Sequence, residues 1–145
     1  MGVGMISFSQ SEEVVRKIMR EPYVNVCTDG LLGGKPHPRA YGTYPRILGR
    51  YVREQNLLTL EEAVRKMSGL AAETFQLHRY GRIEVGARAN LAVFDPQRVV
   101  DRATFDDSKQ YPLGIEYVIV EGKLTMQGEK QLEPGSGVAV KFRTE

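Results

Sequence analysis

The sequence predicts an α/β fold: strand, helix, strand, helix, helix, then a run of antiparallel strands. Three observations carry this. Apolar residues recur at helical spacing behind capping signals in the first half of the chain. Short β-branched runs ending in turn residues dominate the second half. The pattern changes near Gly81, which divides the chain into a region 1–80 and a region 81–145.

Residues 2–8 read as a buried strand. Ser9 or Ser11 can cap the helix that follows, with Glu12 and Glu13 suited to the positive end of its dipole. Val14, Val15, Ile18 and Met19 supply an apolar face, and Pro22 marks the end. Residues 23–27, Tyr-Val-Asn-Val-Cys, read as a short strand that stops at Thr28-Asp29-Gly30. A Gly- and Pro-rich loop carries the chain to a helix from about Tyr44, with Pro45 in its first turn. Ile47, Leu48, Tyr51 and Val52 form its apolar face. Thr59 and Glu62 have capping-box spacing. Leu60, Ala63, Val64 and Met67 line the next helix, which Gly69 is expected to close, with a further short helix at 71–77. In the second half, Leu91 to Phe94 and Ile115 to Val120 read as strands. Glu121-Gly122 reads as a hairpin turn into a strand at 122–126, and residues 138–142 as a last strand.

The chain has 145 residues, enough for one domain with a core. Its net charge of +2, spread over mixed-sign residues, gives no footprint for nucleic acid or a lipid surface. No run approaches the length of a membrane span, and residues 1–8 lack the features of a signal peptide. With one cysteine, Cys27, no intrachain disulfide can form, so a cytoplasmic setting is expected.

Asp29 is the main candidate for chemistry. It stands at the C-terminal end of an expected strand, where working groups sit in barrels and open α/β sheets. An Asp before Gly is also an ordinary turn residue. His37 could ligate a metal, act as a base, contact substrate, or simply belong to the rigid turn between Pro36 and Pro38. Cys27 could ligate zinc or fill a small apolar space. His78 reads as a surface or packing residue. There is no HxH, HExxH, CxxC or phosphate-loop spacing.

The blocks Val26-Cys27-Thr28-Asp29-Gly30 and His37-Pro38-Arg39-Ala40-Tyr41-Gly42-Thr43-Tyr44-Pro45-Arg46 resemble the D-aminoacylases. These are the N-acyl-D-amino-acid deacylases of the amidohydrolase superfamily. The resemblance extends through Thr59-Leu60-Glu61-Glu62-Ala63-Val64, Gly86-Ala87-Arg88-Ala89-Asn90-Leu91-Ala92-Val93-Phe94-Asp95-Pro96 and Gly114-Ile115-Glu116-Tyr117-Val118-Ile119-Val120-Glu121-Gly122.

The resemblance implies the last two strand–helix units of a (β/α)8 barrel, followed by strands of the family's small β-sandwich. It implies zinc-dependent hydrolysis of N-acyl-D-amino acids. Asp29 would take a proton from the metal-activated water and pass it to the leaving amine, while His37, Arg39 and Tyr41 lie near substrate. Arg39 is the candidate to grip a substrate carboxylate. The family's metal ligands lie on earlier strands, so this stretch alone is expected to hold no catalytic zinc and to be inactive by itself. The sequence also departs from the family pattern: Cys27-Thr28 stands before the Asp where Gly-Ser or Ala-Ser is usual, and Asn90 stands where the sandwich usually has Asp. Two barrel strands cannot close a barrel. The chain is therefore expected to meet either a missing barrel half or another copy of itself. The alternative is a non-catalytic remnant that self-associates or binds a partner.

Overall fold

The computed structural model describes residues 9–140. Helix α1 spans Glu12–Arg20. Ser11 caps it, its hydroxyl accepting from the Val14 N–H at 3.2 Å, and Glu12 and Glu13 fill the first turn. Its apolar face is split. Val15 and Met19 pack on the core, while Val14 and Ile18 are exposed. The strand expected at 2–8 lies outside the described residues.

Residues 23–27 form no strand. The segment is irregular and held by single bonds, among them Val26 N–H to the Lys66 carbonyl at 3.1 Å. Helix α2, Arg39–Arg46, begins earlier than expected, directly after Pro38. Pro45 is consequently inside the helix, where it offers no N–H to the Tyr41 carbonyl. The turns that follow, Ile47–Glu54, widen to π-helical bonding, and Gln55 N–H reaches the Arg50 carbonyl at 3.0 Å.

Helix α3, Leu60–Val64, has the expected capping box. Glu62 N–H donates to the Thr59 hydroxyl at 3.1 Å, and Thr59 N–H donates to the Glu62 carboxylate at 2.8 Å. Gly69 does not close this helix. The chain continues through a π-helical segment, Arg65–Gly69, into α4, Leu70–Thr74. Gly69 has helical φ, and its bare Cα makes room for Gly81, whose carbonyl lies 3.4 Å from where a Cβ would sit.

Ile47, Tyr51, Leu58 and Ala63 form the helical core, with Val15, Met19, Val26, Val52, Leu57 and Met67 packed against it. Tyr51 is buried, and burial first, then Glu12, holds its hydroxyl above the ordinary tyrosine value. The opposite face of the α2 region lies against residues 96–103. A Cβ on Gly49 would stand 2.7 Å from the Val99 carbonyl. The Arg53 guanidinium donates to that carbonyl at 2.6 Å, and Arg46 donates twice to Asp101, at 3.0 and 2.7 Å. Val99 has no exposed surface. Gly114, at φ +75°, runs so close beneath it that a Cβ would meet the Val99 nitrogen at 2.5 Å.

A four-stranded antiparallel meander completes the described chain: β1 Leu91–Phe94, β2 Ile115–Val120, β3 Lys123–Gln127 and β4 Lys130–Gln131, in that spatial order. Leu91 pairs with Ile119, and Val120 with Lys123. Glu121 and Gly122 both have positive φ, 51° and 79°, the geometry of a tight hairpin turn. The third strand starts one residue after the turn rather than within it. Residues 138–140 are not a strand, and 141–142 lie outside the described residues. No helix among the described residues is long and apolar enough to cross a membrane.

Candidate functional site

Asp29 occupies a left-handed backbone conformation, φ 43°, which Asp tolerates better than most residues. The Gly30 N–H donates to the Thr28 hydroxyl at 3.3 Å, closing a short turn around it. Gly30 then presses on the first turn of α2. A Cβ there would stand 2.9 Å from both Cα and Cβ of Ala40. The Asp-Gly pair is thus fixed by close packing, which turn chemistry alone does not require.

Arg39, first residue of α2, reaches back over this turn. Its Nε donates to the Asp29 carbonyl at 3.0 Å and its Nη2 to the Asp29 carboxylate at 2.8 Å. The Asp29 side chain remains 78% exposed, so water screens the pair. His37 stands beside it. Its Nδ1 accepts from the Arg39 backbone N–H at 3.0 Å, which leaves the neutral ring's proton on Nε2. The ring meets Phe105 edge-on, centroids 5.1 Å apart. Burial, and then the Arg39 charge, hold the imidazole below its ordinary 6.5. Tyr41 lies two residues on in the same helix, its N–H bonded to the Pro38 carbonyl at 3.1 Å.

Arg39 therefore bonds Asp29 through its guanidinium and His37 through its backbone N–H, and Tyr41 follows on the same helical turn. Cys27 is exposed rather than packed away. It lies near Tyr44, whose hydroxyl is raised by burial and then by that thiol. His78 is exposed as well. Among the described residues no three His, Cys, Asp or Glu side chains gather to hold a metal, so this donor set does not fit a catalytic metal site. Sequence reasoning missed Phe105 and Lys66, which arrive from distant positions. It also missed the packing role of Gly30, for which its place directly after Asp29 was the only signal.

The sequence profile of the amidohydrolase family matches residues 18–126, and the chain belongs to that family. Within it, the similarity runs to the D-amino-acid deacylases. The N-acyl-D-glutamate deacylase of Alcaligenes xylosoxydans xylosoxydans is 48% identical over 82% of this chain and 25% of its own length. The crystal structure of a D-aminoacylase superposes with a TM-score of 0.84 at 38% identity, over 88% of this chain and 27% of that one. The N-acyl-D-glutamate deacylase of Bordetella bronchiseptica was solved with zinc and a phosphonate mimic of the tetrahedral intermediate. It superposes at 0.79 with 41% identity, over 83% of this chain and 27% of that one. The chain spans about a quarter of the length of these relatives.

Proposed function

We propose that this chain is the C-terminal part of a deacylase of N-acyl-D-amino acids, comprising the last two strand–helix units of its barrel and strands of its small sandwich. Asp29 is its proton-transfer carboxylate. It takes a proton from the attacking water and returns it to the amine nitrogen as the amide C–N bond breaks. One observation carries the reading. In a chain related to deacylases, the Asp29 carboxylate stands in the open on a turn locked against α2, paired with the Arg39 guanidinium and exposed to solvent. An acid–base group needs such fixed placement with room for substrate. Any metal of the whole enzyme would be held by groups outside the described residues, and the chain acting alone is expected to be inactive. His37, Arg39 and Tyr41 line the approach to Asp29 and contact substrate. The region 1–80 belongs to the barrel and 81–145 to the sandwich.

The test is hydrolysis of N-acetyl-D-glutamate, N-acetyl-D-aspartate and a neutral N-acetyl-D-amino acid with zinc present. It is run on the chain alone and on the chain joined to the remaining three-quarters of a related deacylase. Turnover by the joined protein, falling about a hundredfold or more on Asp29→Asn, is the expected result. A near-normal rate in that variant removes Asp29 from the mechanism.

A second reading, a non-catalytic module that associates with itself or a partner, is favoured by apolar side chains left in water: Leu31 at 84% exposure, Leu32 at 78% and Ile83 at 90%. Sedimentation of the chain distinguishes the two. A stable oligomer with no turnover after joining favours the module, and a monomer that becomes active on joining favours the deacylase.

A further inference from the structure

Lys66 is 5% exposed, an unusual position for a lysine. Its ammonium donates to two backbone carbonyls, those of Glu21 and, at 3.1 Å, Val24. Its own carbonyl accepts the Val26 N–H at 3.1 Å. One residue of the π-helical segment thus makes three bonds to the segment 21–26, at both ends and in the middle. That segment runs directly into Thr28-Asp29-Gly30. It is not a strand, so no sheet ladder among the described residues fixes its position along the chain axis.

We propose that Lys66 is a positioning residue for Asp29: its buried ammonium and its backbone carbonyl tie down the segment from which Asp29 projects. This rests on the reading of Asp29 as the proton-transfer group. A buried cation without a directly bonded carboxylate is costly, and it persists where its hydrogen bonds fix something specific. Burial holds the ammonium below the ordinary lysine value of 10.5. Glu62 and, more weakly, Glu21 favour its charge, and Arg65 opposes it. The tie is therefore built to release in alkali before an ordinary lysine would. As Lys66 loses its proton it loses one donor and its charge, and the grip on the Glu21 and Val24 carbonyls weakens.

The experiment is NMR of the full chain, using two reporters that need no turnover. One is exchange protection of the Val26 amide. The other is the Arg39 Nε–H resonance, which reads the bond to the Asp29 carbonyl. In Lys66→Met, Val26 protection should fall by about tenfold, the worth of roughly one lost hydrogen bond, and the Arg39 signal should shift, while amides of β2 keep theirs. Lys66→Arg should retain both signals. In the wild type, two reporters that carry no exchangeable proton, the Val26 and Asp29 Cα resonances, should move together as pH is raised, with a midpoint below that of an ordinary lysine. In Lys66→Arg they should stay flat. Unchanged Val26 and Arg39 signals in Lys66→Met overturn the proposal, and so does an equal loss of protection across β2. If the Met variant does not fold, the wild-type titration decides. Reporters that stay still until global unfolding overturn the proposal. Failure here leaves Asp29 as a proton carrier untouched, whereas a fully active Asp29→Asn joined enzyme removes that role and leaves the Lys66 tie measurable.

Discussion

Gly30→Ala isolates the contact that fixes Asp29. The backbone at Gly30 is not in the left-handed region, so an alanine meets no conformational penalty and would even stabilise by about 0.4–1 kcal/mol through the unfolded chain. Against this stands space. The new Cβ would lie 2.9 Å from Cα and Cβ of Ala40, about 0.6 Å inside a comfortable carbon–carbon contact. Half of that contact is backbone, which cannot rotate away. Overpacking of this kind costs about 1–3 kcal/mol. The turn would lift off α2 and stretch the 2.8 Å bond between Arg39 and Asp29. That exposed pair adds less than about 1 kcal/mol. The net expectation is a loss of about 1–2 kcal/mol, or roughly 3–6 °C in Tm for a chain of this size.

Thermal and urea unfolding followed by circular dichroism measures it. Ala40→Gly in the same chain should recover part of the loss, because it removes one of the two crowded atoms at the cost of some helix propensity. A Gly30→Ala chain at least as stable as wild type would refute the reasoning, since the entropic gain would then have met no clash.

Three further outcomes follow from other parts of the molecule. Val99→Ala removes two methyl groups from a side chain with no exposed surface, and should cost about 2–3 kcal/mol in urea unfolding. A loss under about 0.5 kcal/mol would mean that residues 96–103 do not pack on the α2 region as described. Glu121 is held below its ordinary 4.5 first by the bond that Asn90 donates at 2.9 Å and then by Arg88. It therefore contributes stability above the unfolded glutamate range that is lost as pH falls through its lowered folded value, and Asn90→Ala should flatten that acid limb of the urea midpoint. His37, with its folded value below 6.5, works in a higher window. The unfolded chain takes up the proton first, so stability should fall as pH drops below about 6.5, and His37→Gln should remove that limb in melts from about pH 7.5 to 5.

The parts of the fold that were legible in the sequence are those determined locally. Thr59 and Glu62 make their capping box because both partners lie within one turn. Leu91–Phe94 and Ile115–Val120 form their strands, joined to the next by a turn that Glu121-Gly122 encodes on the spot. The misreadings share a different cause. Residues 23–27 have strand composition, but a strand needs a neighbour, and pairing is a long-range fact. Gly69 looked like a helix stop because glycine serves both as a left-handed cap and as a gap for a passing backbone, and only the position of Gly81 decides which. Pro45 looked like a first-turn residue, yet the helix had already begun at Arg39, directly after Pro38 at its N-cap. Asp29, His37 and Arg39 could be named as candidates, but the bonds joining them could not. Lys66 was invisible, because nothing in a helical Arg-Lys pair says which cation goes inward.

The pairing of Arg39 with Asp29 bears on what the site can do. A guanidinium has five donors in a plane, and here Nε and one Nη face the Asp29 turn. A substrate carboxylate arriving at Arg39 must use the remaining edge or displace Asp29 from the shared one. With Asp29 as the proton carrier proposed above, displacement would free its carboxylate at the moment substrate binds. A shared fork would instead keep both carboxylates on one guanidinium and hold Asp29 in place through turnover. Arg39→Lys separates the two arrangements in the joined enzyme. A lysine can pair with one carboxylate but cannot bridge two in a plane. Under displacement the variant raises KM and leaves kcat in place. Under a shared fork it also lowers kcat, because Asp29 loses the 2.8 Å bond that holds its carboxylate in place.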